Sequence, residues 1–242
     1  MTWATMDYWT DGELGTVDDT LGEVRNSPYD NFMAACAEAL AARVLRRTDP
    51  PLAQTSAALA RQDWLAAMDR LGDTPGLEVA SMGCLASIEL FRVTGESLYA
   101  DQAVELARVI AQCQQREWTP WDRPAEELSF TGFFYTNPKR NRIQHYSHRG
   151  HEQAPIVALA ALCETLPDHA DWMEWYAVIA RHSQYLRTLA RFTEPYHPPP
   201  AAIYALDESN DPRFSDQVRS GVRLDDQHYL RVFPVWFDLR GN

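Results

Sequence analysis

A chain of 242 residues is long enough for one large domain or two small ones and can bury a sizeable core. A hydrophobic share of 45% is ordinary for a globular protein, and a net charge of −12 argues against nucleic acid as the main partner, because phosphate binding wants an excess of Lys and Arg. No run reaches the roughly 18 apolar residues that a membrane span needs, and the segment from Met1 to Gly12 has neither the basic start nor the apolar core of an export signal.

The four cysteines, Cys36, Cys84, Cys113 and Cys163, all fall in alanine-rich or apolar helical text, with no C-x-x-C pair among them. They read as buried free thiols of a reducing, cytoplasmic setting. Neither a zinc motif nor a redox motif is indicated, and no cofactor is expected.

Residues 1–30 lack a helical period and mix Trp3, Tyr8 and Trp9 with Asp7, Asp11, Glu13, Asp18, Asp19 and Glu23. Rings beside carboxylates suit a sugar site, where flat faces stack on pyranoses and acids bind hydroxyls. They equally suit a surface loop with solvated acids. Helical text begins near Asp30, where Phe32, Cys36, Leu40 and Val44 recur at helical spacing, with Arg46 and Arg47 at the C-terminal end.

A second helix after Asp49-Pro50-Pro51 presents Ala60, Trp64, Ala67 and Leu71, closed by Gly72. A third starts near Leu77 with Ser81, Cys84, Ile88 and Phe91 in register and Gly95 as its C-terminal cap. Ser97 is expected to cap the fourth, with Asp101 in its first turn and Ala103, Leu106, Ile110 and Cys113 on one face. Helix resumes at about His151, with Pro155 in its first turn and Ile156, Leu159, Cys163 and Leu166 in register. Asp168 is expected to cap a sixth helix, with Asp171 in its first turn and Trp172, Trp175, Ile179 and Leu186 along one face. Beyond Arg191 the chain reads as proline-rich loop and then as an apolar, aromatic segment, with no strand of consequence.

The stretch between the fourth and fifth helices stands apart. Residues 116–150 break the period with Trp118, Trp121 and a long polar-aromatic loop. Its second half carries Tyr135, Lys139, Arg140, Arg142, His145, His148 and Arg149, followed by His151 and Glu152. Long loops on helical scaffolds are where binding and catalysis concentrate. Glu152 stands at a helix start beside His148, Arg149 and His151. It is either an acid whose pKa is tuned by its neighbours or a carboxylate favoured by the helix dipole. Arg142 and Arg149 could hold an acidic sugar or pair with the many acids. Trp118, Trp121 and Tyr135 are either stacking platforms or core rings. Histidines at 145, 148 and 151 would share a face only in a helix, so no metal site is expected.

The text Ser87-Ile-Glu-Leu-Phe-Arg-Val-Thr-Gly-Glu-Ser-Leu-Tyr-Ala-Asp-Gln-Ala-Val-Glu-Leu-Ala, with Cys113-Gln-Gln-Arg, Gly132-Phe-Phe-Tyr and His148-Arg-Gly-His-Glu-Gln-Ala-Pro, resembles six-hairpin glycosidases. Within that group the chain is most similar to cellulase-like family 9 glycoside hydrolases and their relatives. The resemblance implies an all-α fold of the α/α toroid type, here a single helical domain over 1–242 with about three helical hairpins, an incomplete (α/α)6 barrel. It also implies paired-carboxylate hydrolysis of an oligosaccharide or polysaccharide.

The family's D-A-G-D motif, whose aspartates activate water, occurs nowhere in the chain, and His148 and Arg149 are adjacent where the family has H-x-R. A fragment of a longer enzyme is therefore expected, with little hydrolysis by the chain alone and self-association through exposed helix faces.

Glu152 with His148 is the expected acid of that site, and Asp18, Asp19, Asp225 or Asp226 the second carboxylate. Trp118, Trp121, Tyr135, Arg142, Arg149 and His151 are the expected substrate contacts. Two alternatives stay open: a sugar epimerase or isomerase that uses His145, His148 or His151, and a catalytically silent module that binds carbohydrate or another protein.

Overall fold

The computed structural model describes residues 27–145, 153–197 and 202–232. These residues are mostly helical, with seven α-helices among them and little strand. The helices are α1 (Pro28–Leu45), α2 (Pro50–Asp69), α3 (Leu77–Thr94), α4 (Ser97–Gln112), α5 (Ala154–Thr165), α6 (Trp172–Ala190) and the short α7 (Pro212–Arg219). No described helix is long and apolar enough to cross a membrane.

Local chemistry sets several of these ends. Ser27 accepts the Asp30 N–H at 3.2 Å, and Asp49 accepts the Leu52 N–H at 3.2 Å, each just ahead of a proline that needs no partner for its missing N–H. Gly95 closes α3 at φ 72°, a left-handed conformation that glycine adopts without Cβ strain. Two caps differ from expectation. Ser97 is the first residue of α4 and makes no cap bond, and Glu96 precedes it. Asp171, not Asp168, stands immediately before α6.

α1 packs on α2, α3 on α4 and α5 on α6, while α1, α3 and α5 adjoin in a row. Glu89 of α3 pins that row. Arg43 of α1 reaches its Oε2 at 2.9 Å, and Arg92 reaches its Oε1 at 2.6 Å while donating to Thr165 of α5 at 3.0 Å. Trp64 Nε1 of α2 donates to Ser87 Oγ of α3 at 2.8 Å.

The buried stripe of α1 is Phe32, Ala35, Ala39 and Ala42, rotated from the expected one, so that Leu40 and Val44 are 42% and 66% exposed. Alanines at the contact let α1 lie close to its neighbours, and the larger side chains turn outward. Leu186 of α6 is likewise exposed, while Trp175, Val178, Tyr185 and Leu189 form the buried face.

The C-terminal region corrects the expectation of loop without strand. β1 (Ala202–Ala205), β2 (Val222–Arg223) and β3 (His228–Arg231) form an antiparallel sheet in the order β1-β3-β2. Alternation separates its two faces. Ile203 and its partner Leu230 join a cluster with Trp121, Phe130, Phe133, Ile143 and Tyr185. Ala202 and Tyr204 face the other way, toward Val218 and Phe214 of α7. The sheet thus closes over the aromatic loop that follows α4.

Candidate functional site

The loop after α4 is folded back on the helices by backbone pairing. Gly132 N–H donates to Gln115 O at 2.8 Å, Gln115 N–H to Phe133 O at 2.9 Å, and Tyr135 N–H to Cys113 O at 2.8 Å. Further out, Thr136 N–H donates to Arg142 O at 2.9 Å, closing the turn that holds Asn137, Lys139 and Arg140. Gly132 sits at φ 106° with its Cα against α6, and a Cβ there would fall 2.3 Å from Arg181 O. Its carbonyl is anchored twice, 2.9 Å from His182 Nδ1 and 3.3 Å from Gln114 Nε2. Burial lowers the pKa of His182, which the bond to Gly132 offsets only in part.

Between this loop and the end of the sheet lies a cavity of 730 Å³. Trp121, Tyr135 and Ile143 supply its apolar wall. Asn137, Asn141, Arg140 and Arg142 of the loop and Asp207, Glu208 and His228 from the sheet end line the rest. That size and mix suit a small polar ligand with an exposed ring face.

Glu208 is the most constrained of the lining groups. It belongs to the turn that follows β1, and its side chain is only 9% exposed. Oε1 accepts the Ala205 N–H at 2.8 Å. Oε2 lies 3.2 Å from His145 Nε2 and 3.8 Å from Arg142 Nε. Neither contact has hydrogen-bond geometry, so Oε2 and His145 Nε2 are both buried without a hydrogen-bond partner. A buried carboxylate oxygen in that condition is costly to the fold, and the Arg142 guanidinium and His145 imidazole are the polar groups beside it. The His145 ring rests on Tyr204 at 3.9 Å between centroids.

Asp225 lies behind the cavity wall. Its Oδ1 accepts the backbone N–H groups of Gln227 and His228, both at 2.7 Å, and Oδ2 accepts Trp121 Nε1–H at 2.6 Å. His228 Nδ1 stands 3.0 Å from both oxygens. Burial alone would raise this carboxyl, but the hydrogen bonds from Trp121, Gln227 and His228 outweigh it and bring the pKa to about 2. With both oxygens used, Asp225 holds Trp121 and His228 in place and is not a spare carboxylate. Asp226 is exposed and paired with Arg223.

The expected site residues divide three ways. Trp121, Tyr135 and Arg142 line the one cavity, Trp121 being also a core ring at 8% exposure. Burial raises the Tyr135 pKa, and its hydroxyl donates to Gln115 Oε1 at 3.1 Å. Trp118 is no part of that wall and is 69% exposed. Asp18, Asp19, His148, Arg149, His151 and Glu152 lie outside the described residues. Among the described residues no group of three or more His, Cys, Asp and Glu is placed to hold a metal ion.

Sequence reasoning passed over Glu208 and His228. The Asp225-Asp226-Gln227-His228 run carried a usable signal, since Asp three residues before His suits a turn in which the carboxylate meets both backbone and imidazole. Compared with known proteins, the chain matches no protein-family model, and no curated protein sequence is significantly similar to it.

Proposed function

We propose that the protein binds carbohydrate in the cavity between the post-α4 loop and the sheet, and that it is a glycoside hydrolase-like chain acting on an oligosaccharide or polysaccharide. One observation carries this reading: the Trp121 and Tyr135 rings share a cavity with the carboxyl-bearing residues Asp207 and Glu208. Rings offer a stacking face to a pyranose, and carboxyl groups accept sugar hydroxyls or, when protonated, donate to a glycosidic oxygen. The row of α1, α3 and α5, each backed by its own partner helix, supports an α/α-toroid arrangement. Free thiols, two of them fully buried, support a cytoplasmic setting.

In this reading Glu208 is the acid of the cavity, and Asp207, exposed on the same wall, is the carboxylate nearest to it in sequence. The second reading, a sugar epimerase or isomerase, is favoured by the His145 imidazole beside Glu208 and by His228 among the residues of the same cavity.

Incubating the purified chain with aryl glycosides, and separately with free reducing sugars followed by NMR, separates the two. Release of the aryl group, lost in Glu208→Gln, supports hydrolysis. Conversion of a free sugar with no glycoside cleaved supports the epimerase. Saturable sugar binding without turnover places the chain as a silent binding module. A chain that neither binds nor converts any sugar refutes the carbohydrate reading.

A further inference from the structure

We propose that the solvent face of α1 is an interaction surface for a second copy of this chain, with the two α1 helices lying antiparallel. The pairing is independent of what the cavity binds.

α1 is apolar on every side. Of its 18 residues only Asp30, Glu38 and Arg43 are charged, and Arg43 is turned to Glu89 of α3 at 2.9 Å. One apolar stripe, Phe32, Ala35, Ala39 and Ala42, is buried where α1 packs on α2 and α3. A second, Met33, Ala37, Leu40 and Val44, keeps helical spacing and is exposed throughout, Met33 by 48% and Val44 by 66%. α4 shows how this protein treats a helix face meant for water. At the same spacing its exposed stripe reads Asp101, Glu105, Arg108 and Gln112. A helix that is hydrophobic all round is normally covered all round, and α1 is covered on one side only.

The exposed stripe is complementary to itself in one direction. In an antiparallel pair centred on the Glu38–Ala39 peptide, Met33 meets the second copy's Val44, and Ala37 meets the second copy's Leu40, small against large. The same register brings Asp30, in the first turn, level with the second copy's Arg47, and does so at both ends. Arg47 is exposed and bonded to none of the described residues. Asp30 spends Oδ2 on the Ser27 hydroxyl at 2.6 Å and keeps Oδ1 for a cation. A parallel pair would instead set Asp30 on Asp30 and Arg47 on Arg47, and would align the helix dipoles. Exposed ion pairs add little affinity, so these charges select the direction while the apolar stripe supplies the contact.

A two-fold axis is the commonest symmetry for such a self-complementary face. A strip about 27 Å long and about 10 Å wide on each copy buries roughly 500 Å² in all, which makes this a weak, reversible dimer.

The test uses the full 242-residue chain. Sedimentation over a dilution series from millimolar to micromolar protein is expected to show a monomer–dimer equilibrium. Leu40→Glu places a charge in the stripe twice per dimer and is expected to weaken association about tenfold or more, with the fold kept because residue 40 faces solvent. Direction is read by oxidative cross-linking in a background with Cys36→Ala and Cys163→Ala. Met33→Cys and Val44→Cys chains are expected to form few disulfides separately and a mixed disulfide when combined.

A chain that stays monomeric at millimolar concentration overturns the proposal. If its Leu40→Cys thiol is then slow toward a maleimide, another part of the same chain covers the stripe. Association that Leu40→Glu leaves unchanged places the contact on a different surface and overturns it too. Met33→Cys chains that cross-link to themselves, with no mixed product, overturn the antiparallel register.

Discussion

Replacing Gly132 with alanine tests whether the cavity's loop is fixed by its contact with α6. Two costs combine at this position. A φ of 106° is a conformation that side-chain-bearing residues rarely adopt, and strain of that kind costs about 1–3 kcal/mol. The new Cβ would also meet Arg181 O at 2.3 Å and Arg181 C at 2.6 Å, and both are helix backbone that cannot rotate away. Overpacking against an unyielding neighbour costs about 1–3 kcal/mol more.

The expected loss for Gly132→Ala is therefore about 2–6 kcal/mol, which lowers the melting temperature by roughly 5–20 °C for a chain of this size. Gly72→Ala is the matched control: it has φ 69° but no atom within 4 Å of the added Cβ. Strain alone should cost it about 1–2 kcal/mol. Urea unfolding followed by tryptophan fluorescence measures both variants. Equal losses in the two would show that the loop does not lie against α6 as described.

Three more outcomes are expected. Burial lowers the pKa of His182, so between the unfolded value of about 6.5 and the lower folded value the unfolded chain binds more protons. Stability should therefore fall as pH drops below about 6.5, and urea midpoints of His182→Gln should show a flatter dependence there. Glu89→Ala removes the carboxylate shared by Arg43 and Arg92, both of which keep some contact with solvent, and should cost about 1–3 kcal/mol, read from the same unfolding curves. Burial pushes the Cys84 and Cys113 thiols to about 12, so neither should react with DTNB at pH 8 in the native chain, whereas all four cysteines react in guanidinium.

The candidate site was legible only in pieces. The loop after α4 announced itself by its rings and cations, and Trp121, Tyr135 and Arg142 could be named from it. Glu208 carried no comparable mark, and the Asp225–His228 run carried only the signal of a turn, because each gains meaning from the residues that the fold brings around the cavity. Trp118 looked in sequence like an equal of Trp121. What separates them is the Asp225 carboxylate that holds the Trp121 indole, contributed by a segment 104 residues away.

By itself the sequence determined the helices and many of their ends. Period, proline at the first turn, Ser27, Asp49 and Gly95 act within a few residues of one another, so their effect is written locally. It also determined that α4 buries Ala103, Leu106 and Ile110, since that helix has one clear apolar stripe. Tertiary structure alone decided which stripe of α1 is inside. Both Phe32-Cys36-Leu40-Val44 and Phe32-Ala35-Ala39-Ala42 keep helical spacing, and close approach to neighbouring helices selects the small side chains. It decided the sheet as well, because β1 becomes a strand only when β3, more than twenty residues on, supplies its hydrogen bonds and the aromatic loop covers Ile203 and Leu230.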